Sequence, residues 1–159
     1  MSNKYQADLP REEMERILEE EDTCVICLSD GGSPYAVPVS YAWIDGKILL
    51  HCAVTGKKLD IIRKNPRTCF LVDRHPERTR PHSPEGECTY RFESVLCFGT
   101  ARIIDQVPER MEYLKAFKKH FDLRLNLPLD KNPVNEKAAE HCGCVIISVD
   151  SMTGRKKGK

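Results

Sequence analysis

Short apolar runs alternate with clusters of Gly, Pro, Ser and Asp along most of this chain, a pattern that predicts β-strands separated by turns. We predict six strands, at residues 23–28, 35–44, 47–53, 68–73, 90–104 and 145–149. The first run is apolar almost throughout, which is typical of a strand buried on both faces. Asp45-Gly46 between the second and third runs predicts a tight hairpin turn.

A helical period replaces the strand pattern in a few segments. Residues 10–20 begin with Pro10 and repeat apolar side chains at Met14, Ile17 and Leu18, which predicts a short N-terminal helix. Similar spacing predicts a second helix over residues 108–120 and a third, shorter one over residues 133–140. Six strands with short hairpin connections and late helices favour a small antiparallel barrel over a doubly wound fold.

Three further features complete the organisation predicted from the pattern. Residues 75–88 are rich in proline and charge, which predicts a mobile loop. Residues 155–159 form a basic tail, for which exposure to solvent is the simpler interpretation. Pro38 within the second strand cannot donate to a neighbour, so one strand edge is predicted to be locally unpaired there, beside a ligand or at a bulge. The 159 residues are expected to form a single domain.

Composition narrows the class of protein. Hydrophobic residues at 40% and charged residues at 31% are typical of a soluble globular chain. A formal net charge of +1 gives no general argument for binding nucleic acid. There is no apolar run long enough to span a bilayer and no apolar segment typical of a signal peptide, so a cytoplasmic location with no membrane partner is expected.

Eight cysteines raise the question of metal binding or disulfides. Without an export signal the thiols are expected to be reduced, and most lie in apolar runs where cysteine packs as a small hydrophobe. Cys24 and Cys27 have the spacing of a zinc knuckle, but on a strand they point to opposite faces. Cys142 and Cys144 would lie on the same face of a strand, but no second cysteine pair with zinc-knuckle spacing in a turn accompanies them. Packing is therefore the favoured interpretation, and no metal site is predicted.

The segment from His51 to Val72 carries the clearest candidate chemistry. An apolar strand is followed by Gly56, then by Lys57 and Lys58 at the start of a short helix that ends before Pro66. Free N–H groups at a helix start and two ammonium groups are suited to a phosphate, although an ordinary turn with solvated lysines has the same sequence.

No hydrolase or metalloprotease motif accompanies this turn, and the histidines are scattered. His51 stands out because it ends the strand just before the turn. Its alternatives are a structural hydrogen-bonding role and a ligand contact.

An ordered series of segments resembles the flavin-binding split β-barrel proteins related to pyridoxamine 5′-phosphate oxidase, and within them the nitroimidazole-resistance (Nim-type) reductases. The segments are P-Y-A-V-P-V-S-Y at 34–41, K-I-L-L-H-C-A at 47–53, G-K-K-L-D at 56–60, N-P at 65–66, Y-R-F-E-S-V at 90–95 and F-G-T-A-R at 98–102. The resemblance implies an FMN-binding, six-stranded antiparallel split β-barrel. It also implies a homodimer with FMN at the subunit interface, two sites to a dimer.

The same resemblance implies positions for the flavin site. Val39, Ser40 and Tyr41 would line the flavin ring, and His51, Cys52 and Ala53 would border it from the next strand. The phosphate would be held by Gly56, Lys57 and Lys58. Contacts from the long strand, from the same or the partner subunit, would come from Ser94 and Val95. A histidine at the position of His51 lies beside flavin and substrate in Nim-type proteins, which makes His51 the candidate catalytic residue.

The implied function is an FMN-dependent oxidoreductase that reduces a small oxidised molecule such as a nitroaromatic compound. The electron donor would be a nicotinamide cofactor, NADH or NADPH, or another reductant, and FMN would carry the redox chemistry itself. Two alternatives stay open at this point: an activity like that of pyridoxamine-phosphate oxidase, and a flavin- or haem-binding protein without turnover.

Overall fold

The computed structural model describes residues 6–75, 91–129 and 133–157 of the chain. Seven strands and four helices follow one another in these residues. In chain order they are β1 (Gln6–Asp8), α1 (Arg11–Glu20), β2 (Thr23–Asp30), β3 (Ser33–Ile44), β4 (Lys47–Cys52), α2 (Lys57–Lys64), β5 (Arg67–Arg74), β6 (Phe92–Ile104), α3 (Val107–Arg124), α4 (Glu136–His141) and β7 (Gly143–Lys157).

The strands form an antiparallel barrel. Their order is β1-β7-β4-β3-β2-β5-β6, and an additional pairing between β6 and β7 closes the ring. Strands β2 to β7 are the six predicted from the sequence, so the predicted antiparallel barrel is confirmed. The sheet has a seventh strand, β1, which pairs with the end of β7. Its three residues are too few to show a period, and this pairing is what defines β1 as a strand.

The C-terminal segment differs from the prediction. A basic tail over residues 155–159 is expected from the sequence alone, but β7 continues to Lys157 and pairs with both β1 and β6 there. Lys156 also contacts Glu13 of α1 at 2.9 Å. Pairing with distant strands therefore holds residues 155–157 in the sheet. The predicted loop over residues 75–88 lies outside the described residues except for its first position.

Two glycine-containing turns set the register of the hairpins. Gly31 and Gly32 join β2 to β3 with φ values of 59° and 98°, and Asp45 and Gly46 join β3 to β4 with φ values of 50° and 72°. Two successive residues with positive φ are typical of the tight hairpin turns whose twist matches that of the strands. The register between β6 and β7 shifts between Phe98 and Gly99, which marks a bulge in the long strand.

The barrel interior holds the main hydrophobic core. Its largest fully buried side chains include Tyr41, Phe70 and Ile26, and α1 and α2 contribute Ile17, Leu18, Leu59, Ile61 and Ile62. The Tyr41 hydroxyl donates to the carbonyl of Leu18 at 2.9 Å, so the buried polar atom is satisfied. Strand residues facing this core alternate with residues that face outward.

A second, smaller core lies outside the barrel. Ala42 of β3, Leu49 of β4 and Cys144 of β7 face outward and pack against Tyr113, Leu114 and Phe117 of α3 and Ala139 of α4. Helix α3 is therefore the element that covers the outer surface of β3, β4 and β7.

The outer surface of β2, β5 and the adjoining parts of β3 and β6 is apolar and belongs to neither core. We call this surface the open face; it consists of Val25 and Cys27 of β2, Ala36 and Pro38 of β3, Cys69 and Leu71 of β5, and Leu96 and Phe98 of β6. All eight side chains are exposed or half-buried, and Phe98 is 39% exposed. Cross-strand pairing places them in two rows, one of them running Ala36, Cys27, Cys69, Phe98.

Candidate functional site

The turn between β4 and α2 has the backbone of an anion-binding loop. Gly56 has a φ of +139°, which residues with a side chain rarely adopt, and a Cβ there would meet no heavy atom within 4 Å. The N–H groups of Leu59 and Asp60 donate to the carbonyl of Gly56 at 2.9 and 3.2 Å. Those of Lys57 and Lys58 have no hydrogen-bond partner among the described residues. Two unpaired donors therefore lie beside open space at the positive end of the α2 dipole.

The two lysines of this turn point to different surroundings. The Lys57 Nζ lies 3.9 Å from a carboxylate oxygen of Asp30 and 5.3 Å from the ring centroid of Tyr35, so it is directed toward the β2–β3 hairpin. The charge of Lys58 instead acts on His51 and Cys52 at the end of β4. Lys58 is therefore the lysine that accompanies the predicted site residues, a distinction that the sequence does not make.

His51 lies on the outer side of β4 and packs against α3. Its ring makes an edge contact with Phe117, with the centroids 4.7 Å apart and the planes at 87°. Burial lowers the pKa of His51, and the nearby positive charge of Lys58 lowers it further. The imidazole is therefore neutral at neutral pH, with one nitrogen that accepts a hydrogen bond and one that donates.

Tyr113 fixes the backbone next to His51. Its buried hydroxyl contacts the carbonyl of Leu50 at 3.0 Å and that of Val145, which are cross-strand partners on β4 and β7. With one proton, the hydroxyl donates to one of these carbonyls at a time. The sequence predicts the helix that contains Tyr113 and Phe117 but not these contacts, since they depend on where α3 docks.

Replacing Lys58 is expected to raise the pKa of His51. The pKa of His51 is lowered in the folded chain from its ordinary value of 6.5, so the unfolded chain binds the proton more tightly. The contribution of neutral His51 to stability is therefore complete above pH 6.5 and is lost as the pH falls below it. Lys58→Met removes one of the two causes and leaves burial in place. We expect an NMR titration of the imidazole protons to show an upward shift in Lys58→Met and none in Lys57→Met. An equal shift in both variants would contradict the placement of Lys58 beside His51.

The first two-thirds of β3 has a free edge. Residues 33–40 pair with β2, whereas residues 41–44 pair with β4. The N–H of Tyr41 donates to Asp22 on the β2 side at 2.9 Å. Backbone N–H and C=O groups of successive strand residues point to opposite edges of the strand. Since those of Tyr41 point to β2, those of Ser40 and Pro38 point to the other edge, which has no strand partner among the described residues. Pro38 has no N–H to offer there, in agreement with the predicted unpaired edge.

The predicted ring-lining residues fall into two groups. Ser40 and His51 are exposed on the outer side of neighbouring strands, one position beyond the last paired residues, Tyr41 and Leu50. The side chains of Tyr41 and Val95 are both 0% exposed inside the barrel. The Val39 side chain also packs against that core. These three side chains therefore do not reach the outer surface. The backbone of Val39 and Tyr41 points to the β2 side of the strand, and Val95 pairs with both β5 and β7.

Cys52 and Ala53 lie between His51 and the turn. Cys52 is half-buried at the end of β4, and Ala53 is exposed just after it. Burial raises the pKa of the Cys52 thiol and the charge of Lys58 opposes that rise, so the thiol is protonated at neutral pH.

Ser94 does not join this group within one chain. It lies on β6 opposite Asp73 of β5, whereas Ser40 lies on β3 opposite Thr23 of β2. Ser40 and Ser94 are thus three strands apart, or about 14 Å at the usual strand spacing. Both lie at the border of the open face.

Two other kinds of site were sought among the described residues. In this part of the chain, no three His, Cys, Asp or Glu side chains are arranged to hold a metal ion. None of the helices described in residues 6–75, 91–129 and 133–157 has the length and apolarity needed to cross a membrane.

Solved structures with the same fold come from several bacteria. A proposed 5-nitroimidazole antibiotic resistance protein from Bacteroides thetaiotaomicron has a TM-score of 0.76 and 22% identity, over 95% of this chain and 87% of that one. An FAD-binding protein from Mesorhizobium loti has a TM-score of 0.69 and 21% identity, over 96% and 99% of the two chains. The FAD and heme binding protein of Mycobacterium smegmatis has a TM-score of 0.78 and 16% identity, over 98% and 75%.

No curated protein matches the sequence. The family pattern for pyridoxamine 5′-phosphate oxidase, in contrast, matches residues 10–156, which include every strand of the barrel ring and both sides of the turn at Gly56. The chain therefore belongs to the pyridoxamine 5′-phosphate oxidase family.

Proposed function

We propose that the protein is an FMN-dependent oxidoreductase. The observation that carries this proposal is the convergence of the open turn at Gly56, two unpaired N–H groups and the Lys58 ammonium beside an exposed, neutral His51. Family membership supports a flavin, as do solved relatives of the same fold that are described as FAD-binding. Such a cofactor supplies the electron transfer when it is bound.

The phosphate end of the site is the start of α2. The N–H groups of Lys57 and Lys58 donate to phosphate oxygens, and Gly56 leaves the space that the phosphate needs. The Lys58 ammonium adds a charge-assisted hydrogen bond. Lys57 contributes its backbone N–H, while its side chain stays with Asp30 and Tyr35.

The ring end of the site is the free edge of β3 together with the end of β4. Ser40 offers a backbone N–H and a carbonyl at this edge, and Pro38 offers a carbonyl only. The side chains of Val39 and Tyr41 lie in the core, so these residues hold β3 in place and do not contact the ring themselves. Cys52 and Ala53 border the space between the ring and the phosphate.

His51 is the proposed catalytic residue. It faces outward beside Ser40, and the neutral imidazole is able to give or take a proton near neutral pH. The edge contact with Phe117 fixes the plane of the ring. The proposed substrate is a small oxidised molecule such as a nitroaromatic compound, with NADH or NADPH as the donor.

The proposed assembly is a homodimer that packs through the open face. A contiguous apolar surface bordered by polar residues is typical of a protein interface. Ser40 and Ser94 lie on the same border of the open face, three strands apart within one chain. We propose that in the dimer a ligand at Ser40 lies next to Ser94 of the partner subunit.

An absorbance spectrum of the purified protein tests the proposed function. We expect flavin bands that bleach under anaerobic NADH or NADPH. Oxidation of pyridoxamine 5′-phosphate is the second candidate, favoured by the family match, and bleaching by that compound alone would establish it instead. A Soret band would indicate haem, and a colourless protein that takes up no added FMN would contradict every flavin-based function.

A further inference from the structure

Two aromatic side chains of α3 form a row that begins at His51. Phe117 contacts the His51 ring, and the ring of Phe121 lies against Phe117 with the centroids 4.9 Å apart and the planes tilted by 35°. The two residues are four positions apart on the helix and so share one face of it. Phe117 is only 7% exposed, whereas Phe121 is half-buried. We call this pair the aromatic wall, and Phe121 is the end of it that meets solvent.

The position of Phe121 over the sheet follows from the contacts on either side of it in α3. On one side, Phe117 lies at His51 of β4. On the other, the Arg124 guanidinium donates to backbone carbonyls of residues 19–21, just before β2. Phe117 and Arg124 are seven residues, or about 10 Å of helix, apart. Strands β4 and β2 are separated by two strand spacings, also about 10 Å. Helix α3 therefore crosses β3 between these points, at the turn that contains Phe121.

The part of β3 next to this turn is the ring end of the proposed site. Ser40 faces outward between Pro38 of the open face and Ala42, which α3 covers. A ligand at Ser40 and His51 therefore has the open face on one side and the aromatic wall on the other. Because Phe121 lies on the far side of Ser40 from the open face, the proposed dimer leaves its ring accessible to that ligand.

We propose that Phe121, backed by Phe117, is a specificity-determining residue that holds a planar aromatic substrate beside His51. Aromatic rings pack edge to face or offset, with centroids roughly 4.5–7 Å apart, and such contacts contribute more than the buried apolar area alone. His120 makes an edge contact with Phe121 at 5.4 Å and 80°, so the Phe121 ring is held between His120 and Phe117. This role rests on the proposed function, because it concerns the substrate that the site at His51 selects.

Three charged side chains close to Phe121 along the helix are engaged elsewhere. Lys118 pairs with Asp122, and Arg124 donates to the carbonyls that precede β2. These groups are therefore not free to bind a charged substituent. Selection by the aromatic wall depends on the shape of the substrate and on ring packing.

Titration of the purified protein with two nitro compounds, in the absence of an electron donor, tests the proposal. Nitrobenzene and nitroethane present the same nitro group, but only nitrobenzene has an aromatic ring. The NMR signals of the His51 imidazole, assigned by their loss in His51→Asn, report binding beside that residue. In the wild-type protein we expect nitrobenzene to shift these signals at a lower concentration than nitroethane does.

Two variants assign this preference to the Phe121 ring. Phe121→Leu keeps an apolar side chain, so the fold should be retained. We expect its dissociation constant for nitrobenzene to rise by about 3- to 10-fold, the effect of losing one aromatic contact, and that for nitroethane to change by less than about two-fold. Phe121→Tyr keeps the ring and should bind nitrobenzene like the wild type. Wild-type affinity for nitrobenzene in Phe121→Leu, or equal losses for the two compounds, would overturn the proposal.

The flavin spectrum separates this result from the proposed function. Flavin bands that bleach under NADH or NADPH, together with equal nitrobenzene affinity in the wild type and Phe121→Leu, would support the proposed function and overturn the role of Phe121. A colourless protein that takes up no FMN would contradict the proposed function, while the dissociation constants for nitrobenzene would still decide whether Phe121 holds an aromatic ring.

Discussion

Lys58→Met is expected to weaken the binding of FMN by about 10- to 100-fold, since a hydrogen bond to a charged group contributes roughly 1.5–3 kcal/mol and about 1.4 kcal/mol is a factor of ten. The Lys58 charge is close enough to His51 and Cys52 to act on the pKa of each, and Lys58 itself carries one of the unpaired N–H groups at the start of α2. Quenching of flavin fluorescence during titration of apoprotein measures the affinity. The fold should be retained, because Lys58 makes no ion pair with any described residue.

Lys57→Met is the matched control for this experiment. The two lysines are adjacent, carry the same charge and begin the same helix, but the Lys57 side chain lies near Asp30 and Tyr35. We expect its replacement to change FMN affinity by no more than a few-fold, since the general loss of charge is screened by solvent. Equal losses in the two variants would mean that both side chains, or neither, contact the phosphate.

Leu71→Asp is expected to prevent dimerisation. Leu71 is half-buried at the centre of the open face, between Val25 and Leu96. A carboxylate there would be desolvated without a partner in both subunits, at a cost of several kcal/mol, or on the order of 100-fold or more in the dimer dissociation constant. Sedimentation velocity over a range of concentrations measures the change. FMN affinity should fall with the dimer, since Ser94 of the partner subunit completes the proposed site.

Leu123→Asp tests the other exposed apolar segment. Leu123 in the last turn of α3 and the leucines that follow the helix at positions 125, 127 and 129 are 60%, 60%, 51% and 44% exposed. The same Leu-to-Asp change at Leu123 should leave dimerisation unaffected, because this position lies away from the open face. A monomeric Leu123→Asp variant together with a dimeric Leu71→Asp variant would place the interface at the leucines instead.

Local chemistry made much of the fold predictable. Asp45-Gly46 set one hairpin, and Gly56 and Pro66 set the two ends of the segment that contains α2. At each of these positions one residue type restricts the backbone so strongly that distant contacts are not needed. The turn that begins α2, with its adjacent lysines, was identified for the same reason.

Features that depend on distant pairing were not predictable. The strand β1 and the end of β7 stabilise each other across almost the whole length of the chain, and neither has a period of its own. The inward direction of Tyr41 depends on the register of β3, and the contact of Phe117 with His51 depends on the docking of α3. The sequence therefore predicted the strands of the site but not which of their side chains reach it.

A comparison of FMN with riboflavin tests the central claim most directly. The two ligands share the ring and differ by the phosphate, so their ratio of affinities isolates the contribution of the turn at Gly56 and of Lys58. We predict that apoprotein binds FMN at least about 100-fold more tightly than riboflavin, equivalent to roughly 3 kcal/mol, and that Lys58→Met loses most of this preference. Equal affinity of the wild-type protein for the two ligands would contradict the claim that this turn holds a phosphate.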